Sequence, residues 1–196
     1  MRAREQYHEI EPRDLFYRAA TDLLARARED GSDLKLGEAL AVLLYTWNRA
    51  YYQYHPPGPA HITAIEDMLA TNTRTLAGLR ARSLHTLDDA DAAVIEPLFS
   101  QFEKLLGPVG AAKALHLLAP RWFPIWDRKI AATYIGILQM RGTNAKRYVR
   151  FMTNTAAQCR ALEGRAGSPP DPVKALDEWN YVRLTRGIDA SPVEER

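Results

Sequence analysis

Cysteine is almost absent. Cys159 stands alone in 196 residues, which leaves no partner for an internal disulfide and no ligand set for a cysteine-bound iron–sulfur cluster. Long apolar runs are missing as well: no stretch approaches the roughly 20 residues that a membrane helix needs, and no membrane partner is expected. The first residues, Met1-Arg2-Ala3-Arg4-Glu5-Gln6, contain no apolar signal region, so the default expectation is a cytoplasmic location. Alternating strand patterns, internal repeats and low-complexity tracts are absent too. His, Cys, Asp and Glu nowhere take metal-ligand spacing, and there is neither a phosphate-binding Walker loop nor a serine nucleophile elbow. No metal and no cofactor is expected.

What is present reads as helix. With 46% hydrophobic and 26% charged residues, the composition is that of an ordinary globular chain, and its length bounds it to one domain. That domain is expected over 1–185, followed by a polar tail over 186–196. The first helix is expected over 12–29, with Leu15, Ala19, Leu23 and Ala27 on one stripe. The most apolar segment, 36–54, carries Leu40, Leu43, Leu44, Trp47 and Tyr51 and is ended by His55-Pro56-Pro57-Gly58-Pro59. Shorter helices are expected at 61–71 and 73–82, and Thr86-Leu87-Asp88-Asp89 reads as a capping box opening a helix through Leu106. Helices over 128–140, 144–162 and 172–185 follow, the last two separated by a linker near 167–170. The fold class is all-α.

The stretch from Gly107 to Tyr134 organises the rest. It reads as a turn over 107–110, a short helix, a loop stiffened by Pro120 and Pro124, and a further helix opened by Asp127. Each proline fixes its own φ and pushes the preceding residue out of the helical region. Asp127 precedes the Ile130/Tyr134 spacing and is placed to accept backbone N–H bonds as an N-cap, a position that favours a carboxylate. Lys113 lies one helix earlier. Charge is uneven along the chain: residues 1–106 balance at −4, and 151–196 at −1. Residues 107–150 hold eight basic side chains against Asp127 alone, a balance of +7. Such a concentration fits a phosphate-facing surface as well as a solvated helical face.

A glycine hairpin, a lysine on the next helix, and Phe123-Pro124-Ile125-Trp126-Asp127 opening another helix together resemble the helix-hairpin-helix DNA glycosylases. The resemblance covers roughly 28 residues. It departs from the family pattern at Lys113, which lies three positions after Gly110 where the family has two, about one helical turn short of the usual interval to the aspartate. It implies a multi-helix fold with two helical subdomains around a cleft. It also implies a glycine hairpin that holds phosphate through backbone amides (Gly107 and Gly110), an aspartate essential for excision (Asp127) and, in bifunctional members, a Schiff-base lysine (Lys113). The chain as a whole also resembles a bacterial protein group sharing Leu43-Leu44-x-Thr46-Trp47-Asn48-x-x-Tyr51-Tyr52 and a Lys113-to-Asp127 motif, a likeness that implies no activity by itself.

Four further residues are pocket candidates. Asn48 and Tyr52 lie one turn apart on an apolar helix, where they are either satisfied core groups or contacts to a flipped base. His116 shares a helix face with Lys113, and a backbone-bonded core histidine is the plainer reading. Trp126 is a loop anchor or a stacking surface. Arg128, Lys129, Arg147 and Arg150 are the expected phosphate contacts. Two functions follow: a base-excision glycosylase, with or without lyase activity, acting as a monomer on double-stranded DNA containing a damaged base, or a non-catalytic nucleic-acid-binding module in which Asp127 only caps a helix. A role with no nucleic acid is the third, since fold does not dictate function.

Overall fold

The computed structural model describes Tyr7 and residues 13–163 and 168–188. Of the expected tail only 186–188 fall within this range, and the start of the linker near 167–170 lies outside it. Among the described residues every regular element is helical: α1 (Arg13–Arg26), α2 (Leu36–Trp47), α3 (Arg49–Tyr52), α4 (Pro59–Arg80), α5 (Ala92–Leu118), α6 (Arg128–Ile135), α7 (Ala145–Glu163) and α8 (Pro172–Asn180). A π-helical turn, Tyr181–Thr185, continues α8. No described helix is long and apolar enough to cross a membrane. One core cluster runs from Ala20 to Val173 through α1–α8.

Several local expectations shift. In α1 Ala20 and Leu24 are fully buried, and Tyr17, with Leu23 and Ala27 of the expected stripe, packs beside them, whereas Leu15 is 63% exposed. The two helices expected at 61–71 and 73–82 are one. At their junction Thr71, Asn72 and Thr73 each donate a side-chain hydrogen bond to the carbonyl four residues back, Asp67, Met68 and Leu69, at 2.8–2.9 Å, so their polar groups are satisfied inside one continuous helix. The capping box expected at 86–89 sits two residues later. Asp88 Oδ1 accepts from the Ala90 and Asp91 amides and Asp91 Oδ2 from the Asp88 amide, and Arg82 holds Asp91 in place. The helix expected over 128–140 stops at Ile135. Gly136 there turns to φ 84°, and Arg147 donates to the Ile135 carbonyl at 2.9 Å.

The turn expected over 107–110 is confined to Gly107, whose φ of 72° and ψ of 168° bend α5 into two limbs. Pro108, which has no N–H to leave unbonded, starts the second limb. A helix end exposes its last carbonyls, and here three are satisfied from elsewhere. Asn48 Nδ2 donates to Leu106 O at 3.2 Å, the Tyr51 hydroxyl to Leu105 O at 2.7 Å, and Arg141 to Lys104 O. Gly110 lies inside the second limb and is buried. A Cβ built there would stand 2.5 Å from Asn48 Nδ2, so the close approach that requires a glycine is that of Asn48.

Candidate active site

The apolar helix expected over 36–54 breaks at Asn48, with φ −114° and ψ 36°. The break frees the Trp47 carbonyl, and Lys113 Nζ donates to it. Lys113 therefore reaches across from the second limb of α5 to the C-terminal end of α2, where the helix dipole favours a cation.

Asp127 is the N-cap of α6, as its spacing predicts. Its Oδ1 accepts from the Lys129 and Ile130 amides, both at 2.8 Å, and its Oδ2 accepts from the Thr185 hydroxyl in the π-helical turn. The loop that carries it is held by core aromatics. Tyr148 donates to Pro124 O at 2.8 Å, and Trp126 Nε1 to Pro108 O at 3.0 Å.

Lys113 and Asp127 line the same cavity of about 190 Å³, with Tyr17, Trp47, Ile125 and Asp177 among its walls. Tyr17 and Trp47 stack there, ring centroids 5.9 Å apart and 13° from parallel. α8 supplies charge that the sequence does not reveal. Lys174 is buried, its ammonium 4.8 and 4.5 Å from the Tyr7 and Tyr17 ring centroids and 3.4–3.9 Å from carboxylate oxygens of Asp14, Asp177 and Glu178. Burial raises the Asp177 carboxyl to about 6; Lys174 and Lys113 pull it down, while Glu178 and Asp127 push it up. Burial, then the surrounding carboxylates, also keeps the Tyr17 phenol protonated. The Lys174/Asp177/Glu178 spacing is that of any solvent-facing ion-pair ladder on a helix, so nothing local announced its burial.

The four pocket candidates do not line this cavity. Asn48 and Tyr52 are buried; Asn48 serves the α5 break, and the Tyr52 hydroxyl meets His61 Nε2 at 3.0 Å. Trp126 is wholly buried against Phe99, Tyr148 and Phe151. His116 stands behind the wall. Its Nδ1 lies 2.7 Å from Phe123 O and its Nε2 3.0 Å from the Tyr17 hydroxyl. A carbonyl only accepts, so Nδ1 carries the proton and the Tyr17 hydroxyl donates to Nε2. Of the expected phosphate contacts, Arg128 and Arg150 are exposed and make no side-chain bond among the described residues, whereas Lys129 is tied to Thr185 O and Arg147 to Ile135 O. No group of three metal-binding side chains occurs among the described residues.

No family model, curated protein or solved structure matches this chain significantly.

Proposed function

We propose that the protein is a base-excision glycosylase that takes a flipped, damaged base of double-stranded DNA into the cavity shared by Lys113, Asp127 and Asp177. The observation that carries this reading is the convergence of two carboxyl groups of different character on one small aromatic-walled space. Asp127 accepts two amide hydrogen bonds and stands as the carboxylate that stabilises positive charge developing on the sugar. Asp177, raised to about 6 by burial, is the proton donor. A carboxyl that burial keeps protonated can do the acid work beside a second carboxyl group. In the hydrolytic step the C1′–N bond breaks and the base leaves with the proton of Asp177. A water molecule bonds to C1′, and its proton passes to a carboxylate. Tyr17 and Trp47 offer the stacking surface. The cleft between two helical subdomains that the family resemblance implies corresponds, in this reading, to the same cavity.

A lyase step would need Lys113 as the free amine, attacking C1′ to form a Schiff base. The Trp47 carbonyl instead offers its ammonium an acceptor, and hydrolysis without lyase chemistry is the form favoured. The test uses duplexes containing 8-oxoguanine, uracil or an oxidised pyrimidine. Asp127→Asn should abolish base release with the fold intact, and wild-type release should fall as pH rises through about 6 and Asp177 loses its proton. Borohydride should trap no adduct. Trapping that depends on Lys113 would restore the bifunctional mechanism, and full activity of Asp127→Asn would end the proposal. The second reading, a nucleic-acid-binding module, draws on the engagement of both Asp127 oxygens within the fold. It takes over if the wild type binds duplex DNA but releases no base.

A further inference from the structure

A second cavity, of about 560 Å³, opens at the other end of the same helices. It lies beyond the end of α1, against the start of α2 and along the later turns of α4, with Leu118 of α5 beside it. Leu36 at one end of α2 lines this cavity and Trp47 at the other end lines the first. Twelve residues of helix hold the two sites about 17 Å apart at the usual helical rise.

Its walls are apolar, with Leu36, Leu69, Leu76 and Leu118 prominent, yet Arg28 and Arg80 both face into it. Among the described residues Arg80 makes no hydrogen bond or ion pair, and Arg28 donates only to Leu24 O in the last turn of α1, at 3.1 Å. Burial, and then repulsion from Arg80, lowers the Arg28 pKa. The single acid in the lining, Glu66, is 3.7 Å from Lys35. Gly37 keeps it there: a Cβ at Gly37 would come within 2.4 Å of Glu66 Cγ, so the glycine lets α4 close on α2 at that point. Arg28 is half-buried and Arg80 exposed; two like charges beside one apolar wall repel each other, and an anion between them would relieve that repulsion. Their planar donor forks match a carboxylate.

We propose that this cavity binds an aliphatic carboxylate, its head group between Arg28 and Arg80 and its chain against Leu36, Leu69, Leu76 and Leu118. The site does not depend on the glycosylase reading.

Titration calorimetry at low ionic strength, with decanoate below its self-association threshold, should show saturable binding at one site. Decanol and acetate should each bind at least about tenfold more weakly, because each lacks one half of the recognition. Arg80→Gln, at an exposed position, should keep the wild-type melting temperature and weaken decanoate by about tenfold, the loss expected for a charge-assisted hydrogen bond. Arg28→Gln should act likewise. Lys146→Gln, at an exposed position outside this lining, should leave decanoate binding unchanged. The proposal is overturned if decanoate does not bind, if decanol or acetate matches it, if Arg80→Gln binds like the wild type, or if Lys146→Gln weakens binding as much as Arg80→Gln does.

Discussion

Burial moves Asp177 and His116 in opposite directions, and the two shifts shape the acid side of the stability profile. Asp177 rises from 3.8 to about 6 and His116 falls from 6.5 to about 4. The folded protein thus holds a proton on Asp177 that the unfolded chain releases between pH 3.8 and 6, and refuses one on His116 that the unfolded chain takes up between 6.5 and 4. The contribution of His116 is fully present above pH 6.5 and is lost as pH falls toward 4. That of Asp177 is fully present below pH 3.8 and is lost as pH rises through 6. Each amounts to on the order of 3 kcal/mol, so the two slopes largely cancel. Asp177→Asn should remove one of them. Urea unfolding at pH 4, 5.5 and 7 should find that variant at least as stable as the wild type at pH 7, with a steeper loss on acidification. A wild-type slope in the variant would show that folding does not perturb the Asp177 proton.

At the scale of the element, the Gly107 bend in α5 and the Asn48 break in α2 are one device. Each interrupts a helix, and the groups freed by one are used at the other: Asn48 and Tyr51 satisfy carbonyls ending the first limb of α5, while Lys113 of the second limb satisfies Trp47. Gly110 lies between them against the Asn48 amide. Gly110→Ala should therefore destabilise the fold by about 1–3 kcal/mol, the usual cost of overpacking. In an Asn48→Ala background the clash has lost its partner, and the same change should cost less than about 1 kcal/mol. Thermal or urea unfolding of the four proteins gives the coupling. Equal costs in both backgrounds would mean that Gly110 is not held against Asn48.

Across the whole molecule, the +7 balance of residues 107–150 divides into two groups once the structure is known. Lys113, Lys129, Arg141 and Arg147 are spent on backbone carbonyls, whereas Arg121, Arg128, Lys146 and Arg150 are exposed and make no side-chain bond among the described residues. Only the second kind can meet phosphate without breaking the fold. Duplex binding by the wild type should weaken steeply with salt. Arg128→Gln with Arg150→Gln should reduce the logarithmic slope by about 0.9 for each phosphate contact removed and leave the melting temperature unchanged. Arg147→Gln should lower the melting temperature first, since it uncaps α6. Fluorescence anisotropy over a salt series measures the slopes; undetectable or salt-insensitive binding removes nucleic acid from the proposal.

What the sequence determined alone lies within a few residues of its cause. Asp127 caps α6 because its carboxylate reaches amides two and three positions on; Gly107 bends α5 because it adopts a positive φ; the helical class follows from apolar spacing with no alternating strand. Tertiary structure decided which faces are buried. α1 centres its buried face on Ala20 and Leu24, keeps Leu23 and Ala27 of the expected stripe at its edge and leaves Leu15 exposed, although either face is acceptable to an isolated helix. The two helices expected at 61–71 and 73–82 are one continuous α4 in the packed fold. Lys174, Asp177 and Glu178 read as a surface ladder until α8 folds them against Asp14 and Tyr17, more than 150 residues earlier in the chain. Hydrogen bonding at a cap is a local energy, complete within one turn of chain. Burial and the proton affinity it sets belong to whatever packs opposite, and no window of sequence contains that partner.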